Sequence, residues 1–513
     1  MAFLRKHRTR LILIGVLAFL FTTASLGMTS DDWALTVLRG LSVGMITFLV
    51  AAGLSLILGL MDVLNLAHGE LFMLGAYVGW TAYVRPDTLV DVATPLGLLA
   101  VGFVLLPALN VGLGRVNVSA AVGRIWPWLA LLLGGALLLA MWPRYPIAIW
   151  NAEEFALSPG TFSLALDQGP LALAPAPSAG VGVMGGFLVA GLLVAAAVAG
   201  WQLRRTEPVA NRAIPRGALY GAGGVLAVSL LLYFFNDGLT DWLLNMNTFG
   251  RFLLAMSVAT AVGFLLGGLI EMSLVRPLYD RPIYQLMLTL GLSFIGIELV
   301  RAVWGRPEFT MPKPAVFNGS GAGCPAESVG DWLEFGCSTM RLFGARIRTY
   351  NEIFVIAVGL IVLIGVWVLL QRTRLGMIIR AGVQDAQMVE ALGINVRRVF
   401  TMVFALGVGL ASLGGILAAP SVGLSNDMGT RLLLLALIAL AIGGLTSFPG
   451  AAAGAILVGL IQQFMVKYGQ LGIPLPFLAE PFKPSPPLVP ASTILLMVIV
   501  LLVLPHGLFG REE

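Results

Sequence analysis

Four polar side chains, Asp62, Asn65, His68 and Glu70, stand close together between two apolar runs, in LSVGMITFLVAAGLSLILGLMDVLNLAHGELFMLGAYVGW (Leu41 to Trp80). Polar and ionisable groups at membrane depth cost several kcal/mol unless they face protein, water or a ligand. A chain that places four of them where helix packing would use leucine points to a pathway or an interface. Within NLAHGE, Asn65 and His68 are spaced i, i+3 and would share a helix face, with Gly69 allowing close backbone approach. Asn65, His68 and Glu70 are therefore candidate substrate-path residues. The alternative is a helix-start knot in which Asn65 caps and the others bond neighbouring helices.

A second chemically dense stretch is QRTRLGMIIRAGVQDAQMVEALGINVRRVF (Gln371 to Phe400), the most charged of the chain. From Met377 to Leu392 it reads as a short amphipathic helix. Ile378, Ile379, Val383, Met388, Val389 and Leu392 form its apolar side, Arg380, Asp385 and Glu390 its polar one, and Gly393 ends it as a C-cap. Such a helix either lies at the membrane interface or docks on a soluble partner. The two cysteines, Cys324 and Cys337, fall in one long loop (306–350), where a disulfide is expected.

Several chemistries are excluded. None of the lysines, Lys6, Lys313, Lys467 and Lys483, follows glycine, so no Walker A loop exists to cradle ATP phosphates. The three histidines, His7, His68 and His506, are far apart, and two cysteines cannot build a zinc cluster, so no metal site is expected. No G-x-S-x-G or H-E-x-x-H pattern occurs, and neither an enzyme nor a cofactor is expected. Energy for any transport must come from an ion gradient or a partner.

The elements that hold these residues are set by composition. Of 513 residues 58% are hydrophobic and 11% charged, where a soluble domain carries about 25% charged residues; the mean hydropathy is +0.92. Backbone in lipid must be satisfied internally, and the continuous, non-alternating apolar runs reject a barrel. The expected fold is all-α, a polytopic transmembrane helical bundle in a cell membrane. About fourteen candidate spans are expected at roughly 11–28, 40–60, 62–84, 94–114, 125–142, 183–203, 217–235, 251–275, 284–304, 351–371, 399–419, 431–446, 449–468 and 490–506. GGLTSFPG (Gly443 to Gly450) marks either a loop or a broken, re-entrant segment.

The net charge of +5 lies in short clusters between apolar runs, which writes topology and not nucleic-acid binding. With RKHRTR (Arg5 to Arg10) inside, the Gln371 to Val399 loop is inside and the 306–350 loop outside. The first segment reads as an uncleaved helix, with a signal peptide as the alternative. Gly40, Gly75, Gly263 and Gly450 each open a small-xxx-small spacing that permits close helix approach.

Taken together, AAGLSLILGLMDVLNLAHGELFMLGAY, RPLYDRPIYQLMLTLGLSFIGIELVRAVWG, RTRLGMIIRAGVQDAQMVEALGINVRRV and the closing LPHGLFG resemble permease subunits of branched-chain amino acid ABC transporters. The likeness is to the member of the permease pair that carries the asparagine-alanine-histidine-glycine signature. It covers Leu41 to Trp80 and roughly Phe252 to Gly510. The resemblance implies a second permease subunit, cytoplasmic ABC ATPase subunits, an extracytoplasmic substrate-binding protein, and a coupling helix over Arg380 to Ile394. It divides the chain into 1–84 with the NLAHGE motif, a family-atypical insert at 85–250 with four apolar spans, and a permease core at 251–513 carrying the coupling loop 371–399. An even number of inserted spans preserves every downstream orientation. The expected cargo is a branched-chain or hydrophobic amino acid; urea or a short amide is the alternative. An ion-coupled secondary transporter, with Asp62 and Glu70 as ion groups, is the reading from another class.

Overall fold

The computed structural model describes residues 15, 22–23, 27–116, 119–145, 179–203, 214–305, 308, 310–342, 344–384, 386–473 and 480–510. The expected span at 11–28 lies largely outside the described residues. Every other expected span falls on helix. Ten helices among the described residues are long and apolar enough to cross a membrane, fewer than the fourteen expected. Besides 11–28, the difference is made by three shorter helices: α2 (His68–Val84), α16 (Met428–Gly443) and α18 (Leu488–Val503), of 17, 16 and 16 residues. At 1.5 Å per residue they measure about 24–26 Å, short of a hydrocarbon core of ~30 Å.

The chain forms two compact units, Met1–Trp80 with Thr248–Glu513, and Thr81–Asn247. The first is built around α1 (Ser30–Met61) and α15 (Val396–Val422), both deeply buried over most of a membrane-length stretch. Thr29 caps α1 by accepting from the Asp32 N–H, and Asp31 and Asp32 in its first turn complement the helix dipole. Asp32 also pairs with Lys467 of α17 (Phe448–Leu471) at 2.5 Å. Each small-xxx-small spacing sits at a helix crossing. Gly40 and Gly44 meet Leu460 and Ile456 of α17; Gly75 and Gly79 meet Ser412 and Ile416 of α15. Gly263 and Gly267, in α9 (Thr248–Ile270), meet α15 from another side, and Gly450 and Gly454 lie on Gly443 and Ala439 of α16. Only a residue without Cβ allows these approaches, which would put a methyl within 3 Å of a neighbouring atom.

GGLTSFPG is the tight turn between α16 and α17. Gly444 takes φ +111°, and Ser447 caps α17 by accepting from the Gly450 N–H at 3.1 Å. The closing LPHGLFG returns to this point, where Leu508 and Phe509 donate to the Ile442 and Gly443 carbonyls at 2.9 Å. It thereby satisfies acceptors that the end of α16 leaves open.

Between α10 (Pro282–Trp304) and α12 (Ile356–Arg372) lies a small domain, where the sequence reads as loop. It holds α11 (Val329–Phe335), started by a Ser328/Asp331 capping box, and an antiparallel hairpin of β1 (Thr339–Leu342) and β2 (Ala345–Arg348). Hydrogen bonds from Ser328 and the Glu327 and Ser328 N–H groups hold the Asp331 carboxyl below the ordinary carboxylate range. Cys324 and Cys337 form a disulfide, with Cα atoms 5.5 Å apart. Below it the rings of Phe317, Tyr350 and Phe354 stack edge to face or tilted, and the Tyr350 hydroxyl donates to the Leu417 carbonyl at 2.9 Å.

The second unit contains α3 (Pro86–Val104), α4 (Leu106–Gly114), α5 (Ala120–Met141), α6 (Val181–Leu203), α7 (Arg216–Phe234) and the short α8 (Asn236–Asn245). Helix α6 is central, crossing α3 where Gly102 meets Gly191 and α5 where Gly200 lies under Trp126. Near the start of α3, Arg85 donates from Nε and Nη2 to the two carboxylate oxygens of Asp87, and Asn236 donates to Asp91 at 2.9 Å.

Candidate functional site

The polar knot is assembled where α1 stops and α2 starts. Asp62 ends α1 in the left-handed conformation (φ 52°), donating its N–H to the Leu58 carbonyl at 3.0 Å. Its side chain is exposed, so it stands apart from the other three. Asn65, His68 and Glu70 are 0, 0 and 3% exposed. Asn65 precedes α2 and does not share its face with His68. Its Oδ1 accepts from the Ala67 N–H at 3.1 Å and its carbonyl from the His68 N–H at 3.2 Å, an Asx-type turn that launches the helix. Among the described residues the Nδ2 of Asn65 has no hydrogen-bond partner.

His68 and Glu70 then point into different crossings. The His68 ring lies under the Val50 backbone, with neither nitrogen making a well-formed hydrogen bond. A Cβ on Gly53 would stand 2.8 Å from its Nε2 and 2.4 Å from the Gly407 carbonyl. The imidazole thus fills the niche that two glycines open between α1 and α15. Glu70 reaches the other way, between α10 and α16. Its Oε1 accepts from Ser293 at 3.1 Å and from Thr430 at 2.9 Å, while Oε2 finds no hydrogen-bond partner among the described residues and lies against Gly429. Gly69 touches the Gly429 carbonyl at the same point. One buried carboxylate therefore ties the first turn of α2 to two helices, and it carries an unused acceptor. Ser293, Thr430, Gly53, Gly407 and Gly429 escape sequence reasoning, because hydroxyls and glycines in apolar helices carry no signal of what they face.

The segment expected to couple forms two helices, α13 (Arg374–Gln384) and α14 (Ala386–Ala391), starting three residues earlier than expected. Asp385 lies outside the described residues. The turn from α12 is tightly built: Thr373 accepts from the Gly376 N–H at 3.1 Å, and a Cβ on Gly376 would stand 2.3 Å from the Leu369 and Leu370 carbonyls. Arg380 is not a free outward charge. It donates back to the Leu370 carbonyl and, at 3.1 Å, to Gln371, satisfying acceptors at the end of α12. The apolar side divides in two. Val389 and Ile379 are buried, whereas Met388 is 61% and Leu392 74% exposed. Glu390 is exposed. Gly393 has φ +82°, and the Ile394 N–H bonds back to the Val389 carbonyl at 3.3 Å, a Schellman end after which Asn395 caps α15. No group of three or more metal-ligating side chains occurs among the described residues.

A family described as "Branched-chain amino acid transport system / permease component" matches residues 36–174 and 178–504. The chain belongs to this permease family. The high-affinity branched-chain amino acid transport permease LivH of Salmonella typhimurium is 25% identical over 300 residues, 58% of this chain and 85% of that protein. BraD of Pseudomonas aeruginosa, of the same description, is 30% identical over 180 residues, 35% of this chain and 53% of its own. A fructose import permease, FruF of Bifidobacterium longum, is 30% identical over 124 residues, 23% of this chain and 34% of that one. No solved structure matches. This permease is a multi-pass membrane component of an ABC importer and not an enzyme. As one component of a transport system, it works with ATPase and other subunits.

Proposed function

We propose that this permease carries branched-chain or related hydrophobic amino acids inward, paired with a second permease subunit. Substrate arrives from an extracytoplasmic binding protein, and ATPase subunits dock on α13 and α14. The topology that fits has the 371–399 loop inside and the small disulfide domain outside, following the arginine asymmetry of the loops. Asn65, His68 and Glu70 then line or brace the path where α2 starts among α1, α10, α15 and α16. The insert at 85–250 adds apolar helices with a packing of their own.

The observation that carries the docking reading is the divided apolar side of the coupling segment. Val389 and Ile379 seat it on the permease, and Met388 and Leu392 are left exposed for a groove on a partner. Arg380 holds the segment rigidly to the end of α12, so a push at Met388 reaches the spans. The test is Met388→Asp in the reconstituted importer. Because Met388 is exposed, the variant should insert and remain stable while leucine uptake and substrate-stimulated ATP hydrolysis are lost. Full stimulation by Met388→Asp would overturn the docking site. Leucine uptake competed by valine but not by urea or acetamide would support the amino-acid cargo, and the reverse pattern would replace it.

A further inference from the structure

We infer that Arg276 is a positioning residue for coupling: held by Glu271, it grips Thr401 and makes the α9–α10 turn move with the coupling segment. This inference rests on the docking reading above. Glu271 is fully buried. Arg276 donates Nε and Nη2 to its two carboxylate oxygens at 3.1 and 2.8 Å, and the Tyr279 hydroxyl donates to the same carboxylate. That fork already neutralises the buried charge. The same Nη2 nevertheless makes one more bond, to Thr401 Oγ1 at 2.6 Å. Thr401 donates its own hydroxyl hydrogen bond to the Arg397 carbonyl at 2.9 Å, so the hydroxyl oxygen is oriented to accept from Arg276. The third contact adds nothing to charge balance; what it adds is a link between two parts of the chain 125 residues apart.

Those two parts are mechanically placed. Thr401 lies in the second turn of α15, which Asn395 caps directly after Gly393 and Ile394 close the coupling segment. On the other side, the helix holding Glu271 widens into a π turn over Glu271–Val275 and tightens to a 3-10 turn over Arg276–Leu278. Irregular turns of this kind inside helices collect at functional sites, since the backbone there can shift register. Val275 ends the π turn inside a buried cluster with Ile57, Leu71 and Phe404, and Leu71 follows Glu70. A displacement of the coupling segment therefore has a continuous, packed route through Thr401 and Arg276 to the start of α2. Within this route the bond to Thr401 is the part that can be removed while the buried Glu271 keeps its pairing with Arg276.

The experiment uses the complete importer in proteoliposomes, with leucine uptake and ATP hydrolysis measured on the same preparation. Thr401→Val keeps the side-chain shape and deletes the acceptor; Thr401→Ser restores it. Loss of one hydrogen bond to a charged donor biases a two-state element roughly tenfold. Thr401→Val should accordingly hydrolyse ATP at the unaltered rate but move about tenfold less leucine per ATP, and Thr401→Ser should return to the parent ratio. An unchanged ratio in Thr401→Val, or uptake and hydrolysis falling in parallel, overturns the inference. Met388→Asp run alongside separates the two ideas. If it abolishes stimulation while Thr401→Val keeps its ratio, only the role of Arg276 falls; if Met388→Asp couples normally, the docking reading fails and takes this one with it.

Discussion

Replacing Gly69 by alanine should force α2 away from α16 and loosen the Glu70 site without touching a polar group. An added Cβ would stand 2.4 Å from the Gly429 carbonyl oxygen and 2.8 Å from Leu433 Cβ. Both are backbone or backbone-anchored atoms, so no flexible side-chain end can swing aside. Ordinary contact needs about 3.4 Å or more between such atoms, which demands roughly 1 Å of helix separation. Overpacking of this kind costs about 1–3 kcal/mol. The same separation stretches the 2.9 Å bond from Thr430 to Glu70, and a weakened hydrogen bond to a carboxylate adds up to about 1.5–3 kcal/mol more. A combined loss on the order of 2–4 kcal/mol should appear as a clear drop in the melting temperature of the detergent-solubilised permease and in leucine uptake at equal abundance. The matched control is Gly365→Ala, in a helix position with nothing within 4 Å of the added methyl. It should be neutral or slightly stabilising, because alanine exceeds glycine in helix propensity by about 1 kcal/mol. A Gly69→Ala protein that melts and transports like Gly365→Ala would refute the close crossing and the account of the site built on it.

Glu70→Gln retains an oxygen to accept from Ser293 and Thr430, whereas Glu70→Ala does not. If the carboxylate serves the path, both should lower uptake at unchanged abundance, and normal uptake by Glu70→Gln would reduce the site to helix bracing. The Cys324–Cys337 bridge has a sequence separation of 13, and closing a loop of that size stabilises by about 3 kcal/mol. Intact mass should therefore fall by two hydrogens relative to the reduced chain, and Cys324→Ser with Cys337→Ser should lower the melting temperature; two thiols alkylated without reduction would contradict it. Single cysteines placed at Glu334 and Leu392 in that disulfide-free background should label from opposite sides of the membrane, and labelling from one side would overturn the proposed topology.

Much of this architecture was legible because it is local. Helix formation follows from long apolar runs in a solvent without hydrogen bonds, so the spans are visible wherever twenty such residues recur. Asn65 launching α2 and Gly393 ending α14 rest on bonds within a few residues. The glycine spacings announced close crossings, although not which helix each would meet. Tertiary structure decided the rest. Glu70 finds its donors 223 and 360 residues away, and the niche for His68 exists only because Gly53 and Gly407 coincide at a crossing. Neighbours in sequence were sorted the same way: Val389 turns inward and Met388 outward, and Arg380 is spent on the end of α12. Amphipathic pattern distinguishes polar from apolar residues, but in a helix lying against both its own bundle and the aqueous side it cannot tell one apolar contact from another. That choice is made by which helices pack beside it, and packing is a property of distant residues acting together.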